Sequence, residues 1–199
     1  MKRLLIQLFS FVVSTLFLYS CSCKSCENED AIIPFSILSK ADKFIADQTG
    51  LTFFKNYIKP DFNRSRKLEN GYLLVYNFFI PEKPFVKGDI RFTVDTLGNV
   101  KKDMEIFGIP LCTDFPEDCM FVIDESKAKK IARENGLEEG IKEWKSGLIY
   151  DSLLKKYIWH ILSTSNESEG EFGYRANGTE FLICPNTGKV LQKNKWKIN

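Results

Sequence analysis

The sequence predicts an α+β protein built from two tandem modules, each with one helix packed on an antiparallel sheet. Three observations lead to this. An amphipathic helix pattern occurs twice, a strand–turn–strand pattern with a glycine in the turn occurs twice in the same order, and aromatic-rich strands lie between them in each half. We place the first module at residues 35–106, a linker at residues 107–122 and the second module at residues 123–199.

The two predicted helices share one spacing of apolar residues. They cover Ser39–Leu51 in the first half and Ser126–Leu137 in the second. Steps of three and four residues give a helix with one narrow buried stripe. The apolar positions are Ala41, Phe44 and Ile45 in the first helix and Ala128, Ile131 and Ala132 in the second.

The ends of both helices carry cap residues. Each helix pattern stops at a glycine, Gly50 or Gly136, which suits a left-handed C-terminal cap. Asp124 is the expected N-cap of the second helix, because its carboxylate can accept a hydrogen bond from the first turn. For the first helix, Ser36 or Ser39 is the expected N-cap.

Each half ends in a predicted β-hairpin. Phe92–Val100 and Phe181–Val190 both have strand residues, a tight turn with Gly98 or Gly188 at a positive-φ position, and a second strand. The helix and the hairpin follow each other at similar spacing in both halves. This repetition favours a duplicated module.

Strands rich in aromatic and β-branched residues lie between helix and hairpin. Tyr72–Ile80 and Tyr157–Leu162 are apolar on nearly both faces, as expected of central strands covered by a helix. Ile141–Ile149 is a further predicted strand. Residues 164–178 are rich in Ser, Glu, Asn and Gly, so we expect a mobile hairpin loop there.

The N-terminus has the pattern of an export signal. Lys2 and Arg3 precede an uncharged apolar run from Leu4 to Tyr19, which is too short for a comfortable membrane span and suits a secretory signal. Residues 1–20 are therefore the predicted signal peptide and residues 21–34 a polar tether. An ordinary signal cleaved near Ser20 and an uncleaved anchor helix are the alternatives.

The end of the apolar run, Leu18–Cys21, resembles the lipobox of bacterial lipoproteins. Tyr19 departs from the small or mid-sized residue usual at that place. The resemblance implies that Cys21 is acylated and becomes the new N-terminus. The chain would then hang from a membrane through this lipid anchor, in the cell envelope and outside the cytoplasm.

Six cysteines are present, and an odd number remains after Cys21 is assigned to the lipid. Cys112 and Cys119 bracket a short loop and could close it as a disulfide in an oxidising compartment. Cys23 and Cys26 have a spacing seen in redox and zinc motifs. However, they lie in the tether with no second pair to complete a metal site.

The second half resembles a PepSY domain. The residues that carry the resemblance are Asp124–Ala132, Tyr157–Ile161 and Pro185–Leu191, and the similarity covers residues 123–192 and, more weakly, residues 36–103. Asn186 stands roughly where the family has Asp, whereas the first half retains Asp95. The resemblance implies an extracytoplasmic, non-catalytic α+β module tied to protease inhibition or to regulation at the cell envelope.

A second resemblance leads to an alternative function. Cone-shaped folds similar to nuclear transport factors, used by some bacterial immunity proteins, also pair such a helix with a late Gly-Lys-Val strand. On that interpretation the chain would be an immunity-type lipoprotein that neutralises a toxin. The two resemblances lead to different sheets, because the cone needs one curved sheet closed around a pocket.

No catalytic or cofactor motif is found in the sequence. His160 is the single histidine and lies in a predicted strand, so a cage of several imidazoles is excluded. We therefore expect no enzyme activity, no metal and no cofactor. A net charge of +2 without a basic cluster argues against nucleic acid as a partner.

The expected partner is another envelope protein. Exposed aromatic side chains in a mobile loop are suited to protein contacts. Phe172 and Tyr174 lie in the predicted loop at residues 164–178 and form the candidate contact site.

Overall fold

The computed structural model describes residues 33–170 and 173–199. The described residues form an α+β structure with two antiparallel sheets. The predicted signal peptide, most of the tether, Cys21, Cys23, Cys26 and Phe172 lie outside the described residues. No helix within the described residues is long and apolar enough to span a bilayer.

The first half contains two helices and a four-stranded sheet. Strand β3 is central, since β1, β2 and β4 all pair with it in antiparallel fashion. The elements are α1 (Phe35–Thr49), α2 (Leu51–Tyr57), β1 (Ile58–Pro60), β2 (Arg66–Leu68), β3 (Gly71–Phe79) and β4 (Lys87–Val94).

The second half contains one helix and a four-stranded meander in the order β5-β6-β7-β8. A single 3-10 turn, Pro116–Cys119, precedes it in the predicted linker. The elements are α3 (Glu125–Glu134), β5 (Lys145–Asp151), β6 (Lys156–Gly170), β7 (Gly173–Ile183) and β8 (Val190–Ile198).

Helix α1 begins earlier than predicted. Its N-cap is Pro34, without a side-chain cap, so the expectation that Ser36 or Ser39 caps it is wrong. The apolar stripe explains the earlier start, because Ile37 is buried one turn before Ala41. Packing of this extra turn on the sheet outweighs the missing cap.

Helix α3 has the predicted caps. The carboxylate of Asp124 accepts a hydrogen bond of 2.8 Å from the backbone N–H of Lys127. Gly136 follows the C-cap with φ of 84°. In the first half, Gly50 also has a positive φ (83°), but its ψ of 140° is extended. Gly50 therefore redirects the chain into α2 instead of forming a left-handed cap.

The two predicted hairpins differ in the structure. The second is confirmed: β7 and β8 pair around a turn in which Gly188 has φ of 74°. In the first, Gly98 has φ of 83° and the Asp95 carboxylate accepts two backbone hydrogen bonds of 2.8 Å, but only a single bridge joins Val94 to Val100. The turn is therefore present and its second strand is not.

Residues 164–170 and 173–178 are strand, where a mobile loop was expected. Strand β6 continues to Gly170 and pairs with β7 from Gly173 onward. The polar composition was misleading, because a ladder of backbone hydrogen bonds needs no apolar side chains. Strand β5 likewise begins later than predicted, at Lys145, which leaves Ile141 and Trp144 outside it.

Each sheet packs its apolar face against its own helix. In the first half α1 covers a core that includes Leu74, Tyr76 and Phe92, all fully buried. In the second half α3 covers Trp159 and Phe181. The cores are not independent, because Tyr157 from strand β6 belongs to the first one. Residues Ile33–Asn199 form one compact unit.

Candidate binding cleft between the two sheets

A cleft of about 790 Å³ lies where the first sheet meets the second. It is bounded by β3 and β4 on one side and by β5 and β6 on the other, with the start of the predicted linker at one wall. The lining residues are Arg64, Asn77, Phe78, Phe79, Lys87, Gly88, Asp89, Arg91, Phe107, Leu148, Ile149, Tyr150 and Tyr157.

The cleft runs along strand edges. Consecutive residues of a strand point to opposite faces of the sheet. Yet Leu148, Ile149 and Tyr150, which are consecutive in β5, all line the cleft. Backbone of β5 as well as its side chains must therefore border the open space.

One wall of the cleft is an ionic cluster around Arg64. The guanidinium donates to both carboxylate oxygens of Asp89, at 2.7 and 2.9 Å, in the fork geometry that Arg favours. Its Nε donates to Asp61 at 2.7 Å, and it also donates to the amide oxygen of Asn77 at 2.6 Å. Asn77 and Asp89 face each other across β3 and β4, so sheet register positions the cluster.

The ionic cluster holds its members in their charged forms. The hydrogen bond from Arg64 lowers the pKa of Asp61 below its ordinary value. The hydrogen bonds that Arg64 donates to Asp89 first, and to Asp61 second, raise the pKa of Arg64. The Arg64 side chain is nevertheless 46% exposed, so water screens these pairs and their contribution to stability is small.

The second wall is a series of aromatic rings. The Arg91 guanidinium lies 4.6 Å from the ring centre of Phe107, within cation–π range. Phe107 meets Tyr150 edge-on at 5.0 Å, and Tyr150 meets Tyr157 edge-on at 5.3 Å. These contacts join strand β4, the linker and strands β5 and β6 of the second sheet into one continuous wall.

Tyr157 anchors this wall inside the protein. Its hydroxyl donates a hydrogen bond of 2.9 Å to the carbonyl oxygen of Gly108, and its ring contacts Phe78 and Phe121. Burial raises the pKa of the Tyr157 phenol well above its ordinary value. At neutral pH it is therefore a neutral hydrogen-bond donor.

The residues singled out from the sequence lie elsewhere. Tyr174 is in β7, not in a loop, and its hydroxyl donates to Glu167 at 2.7 Å. His160 lies in β6 with Nε2 2.8 Å from the Glu180 carboxylate. Cys112 and Cys119 are joined by a disulfide in the linker. None of these side chains lines the cleft.

The sequence interpretation missed the cleft residues. One signal was present in the alternation of charge along Lys87, Asp89 and Arg91, which places three charged side chains on one face of a strand. No local pattern could add Arg64 or Tyr150, because they come from distant segments. Within residues 33–170 and 173–199, no group of three or more His, Cys, Asp or Glu side chains could hold a metal ion.

Comparison of the chain with models of protein families, with curated proteins and with solved structures finds no match. The resemblances to lipoproteins and to PepSY domains therefore depend on the short motifs described above. The geometry of the cleft is the main structural guide to function.

Proposed function

We propose that this chain is a membrane-anchored lipoprotein without catalysis of its own, which binds and regulates another protein of the cell envelope through the cleft between its two sheets. A protease is the kind of partner that the PepSY resemblance implies. The lipid anchor at Cys21 would hold the protein at a membrane outside the cytoplasm.

The composition of the cleft is the observation that carries this proposal. Its central charges, Arg64 and Asp89, are paired with each other, and Arg64 also donates to Asn77, so they are fixed recognition groups instead of reacting ones. Beside them, Phe79 and Ile149 are 45% and 43% exposed, unusual for large apolar side chains in a concave site. Fixed charges beside exposed apolar surface are typical of protein-binding sites.

Two further features support the location and the fold family. A disulfide such as Cys112–Cys119 persists in oxidising, extracytoplasmic compartments. Each sheet has four strands and its own helix, as expected of two PepSY-like modules. The alternative, an immunity protein of cone-shaped fold, needs one curved sheet closed around a pocket, and no feature of the described residues favours it.

Site-specific photo-cross-linking in living cells tests the binding role. A photoreactive phenylalanine replaces Phe79 or Ile149 in the cleft, and Leu97 serves as the control because it is 69% exposed in the turn after β4. We expect one envelope protein to be captured from both cleft positions and not from Leu97. Equal capture from all three positions, or none from the cleft, would contradict the proposal.

The anchor is tested by metabolic labelling with a fatty-acid analogue. The wild-type chain should take up the label and the Cys21→Ala variant should not, because Cys21 is the predicted lipidation site. Equal labelling of both proteins would show that the anchor lies elsewhere or does not exist.

A further inference from the structure

The two edges of the second sheet are unequal. Strand β8 forms one edge and carries Lys193, Lys195 and Lys197 at alternate positions, a pattern that discourages pairing with another strand. Strand β5 forms the other edge, and its central residues Gly147–Tyr150 are uncharged. Only β6 pairs with β5 within the described residues. The open edge that borders the cleft is thus the unprotected one.

The opposite side of the cleft is already covered. Arg91 of β4 exchanges two backbone hydrogen bonds with Phe107, at 2.9 and 2.8 Å. Gly108 follows so closely that a Cβ there would lie 1.9 Å from the carbonyl oxygen of Asp89. Strand β4 therefore has little free edge at this point, whereas within the described residues β5 pairs with no strand other than β6.

The charge of the cleft favours an anionic occupant. Its lining has three cations, Arg64, Lys87 and Arg91, against the single carboxylate of Asp89. Arg64 is paired, but neither Lys87 nor Arg91 makes an ion pair with any described residue. Both are exposed. They can therefore take carboxylates from a ligand without breaking an internal pair.

We propose that the cleft binds an extended, acidic polypeptide segment of the partner, which adds a strand to β5 and places carboxylates against Lys87 and Arg91. This inference rests on the proposed function and names the part of the partner that is recognised. The backbone of the segment pairs with β5, and its alternate side chains contact Ile149 and Phe79. With seven residues at about 3.4 Å each, β5 spans roughly 20 Å, enough for a segment of about six residues.

Synthetic hexapeptides test the inference on the full chain in detergent micelles. The probe alternates Glu with Ile or Tyr, a basic analogue replaces Glu by Lys, and an N-methylated analogue keeps every side chain but loses alternate backbone donors. We expect the acidic probe to bind, and both analogues to bind roughly tenfold more weakly or worse. Equal binding of the basic peptide would overturn the charge assignment, and equal binding of the N-methylated peptide would overturn strand addition.

Protein variants and hydrogen exchange locate the bound peptide. Arg91→Gln should weaken the acidic probe about fivefold, because a partly exposed ion pair is lost. Lys127→Gln on α3 removes an exposed cation outside the cleft and should leave binding unchanged. Backbone amides of β5 should exchange more slowly with the probe bound, and those of β8 should not change. Slower exchange in β8 alone would overturn the assignment to β5.

The photo-cross-linking experiment separates this inference from the proposed function. Capture of one protein from Phe79 and Ile149, together with no binding of the acidic probe, would overturn strand addition and leave the binding role standing. Absence of capture from the cleft would count against the binding role itself.

Discussion

Both halves of this protein pack a helix on an antiparallel sheet, but they differ in how their helices hold the sheets. In the first half α1 has 15 residues and buries the large side chains Ile37 and Ile45. In the second, α3 has 10 residues, and Ala128 and Ala132 are its buried residues. Since buried area sets the hydrophobic contribution, α3 stabilises its sheet far less than α1 does.

The second half gains support from the first. Tyr157 of β6 lies in the first core, where its ring contacts Phe78 of β3 and Phe121 of the linker. Phe121 is fully buried although its φ of 44° is unusual for a large side chain, so its position is fixed by the packing around it. Two helix-on-sheet halves in one chain therefore need not be independently stable units.

Removing a large ring from the first core tests this dependence most strongly. Phe92→Ala should lower the free energy of unfolding by about 3–5 kcal/mol, because the fully buried ring packs between Phe44 and Tyr76. All three tryptophans, Trp144, Trp159 and Trp196, belong to the second half. Tryptophan fluorescence therefore reports on the second half alone. If the two halves unfold together, Phe92→Ala should lower the urea midpoint of fluorescence as much as that of circular dichroism.

Phe181→Ala in the second core is the matched variant, since Phe181 is equally buried. It should shift both signals by a similar amount. If Phe92→Ala moves the circular dichroism midpoint and leaves the fluorescence midpoint in place, the halves unfold separately and the second half does not depend on the first.

Loss of the disulfide should weaken the first half next. Cys112 and Cys119 are seven residues apart, a loop whose closure contributes about 2.5 kcal/mol. The adjacent Thr113 donates its backbone N–H to the carbonyl of Gln48 at 3.0 Å, so the loop also fastens the end of α1. A double Cys→Ser variant measured in urea checks this. As a control, Cys184→Ser removes a cysteine that forms no disulfide. Its free energy of unfolding should stay within about 0.5 kcal/mol of that of the wild type.

Two buried tyrosines should make the free energy of unfolding depend on pH in the alkaline range. Burial raises the pKa of Tyr76 in the first core and of Tyr157 at the junction from the ordinary value of 10.0. The unfolded chain therefore loses these protons first. The contribution of each tyrosine to the free energy of unfolding is fully present below pH 10. Above pH 10 the free energy of unfolding falls by about 1.4 kcal/mol per pH unit for each tyrosine.

Tyr76→Phe and Tyr157→Phe should each reduce the slope of stability against pH by that amount between pH 10 and 11.5. Urea titrations at several pH values measure the slopes. Each substitution also removes a hydrogen bond of the hydroxyl, and the change in the free energy of unfolding at pH 8 measures that loss separately. An unchanged slope in Tyr157→Phe would show that this phenol already ionises in the folded protein.

The caps of the two helices give the smallest expected difference. Asp124→Ala should cost about 1 kcal/mol, because the backbone N–H of Lys127 loses its acceptor. Asp124→Asn retains an acceptor and should cost less. Ser36→Ala in α1 should be close to neutral, since Ser36 is exposed inside the helix and caps nothing. Thermal unfolding of the three variants measures these changes; an equal loss in Ser36→Ala would contradict the assignment of Pro34 as N-cap.

Sequence patterns predicted the helices and turns that are determined by interactions between residues close together in the sequence. The three-and-four spacing found α1 and α3, and Asp124 and Gly136 fixed the ends of α3 through contacts within a few residues. Helix α2 was missed because it is only seven residues long and its partly buried rings, Phe53 and Phe54, pack on the first core. Their environment comes from tertiary packing, which a short window of sequence does not contain.

The cleft could not be predicted for the same reason. Arg64 and Asp89 are 25 residues apart, and Phe107 and Tyr150 are further apart still. Strand pairing in one sheet and the packing of the other bring them together. The extent of β6 and β7 was also hidden, because their polar distal parts are held by backbone pairing. Long-range pairing thus shaped the candidate site more than any motif.

The placement of Tyr157 has a consequence for dissecting the molecule. A gene cut at the linker would yield an N-terminal fragment with an unfilled cavity where that ring belongs, and a C-terminal fragment with the same ring stranded in water. Neither piece alone should behave as a well-ordered domain. Mixed together, however, they have a reason to reassemble, and such complementation in trans would restore the slot between the sheets as well as the missing contacts.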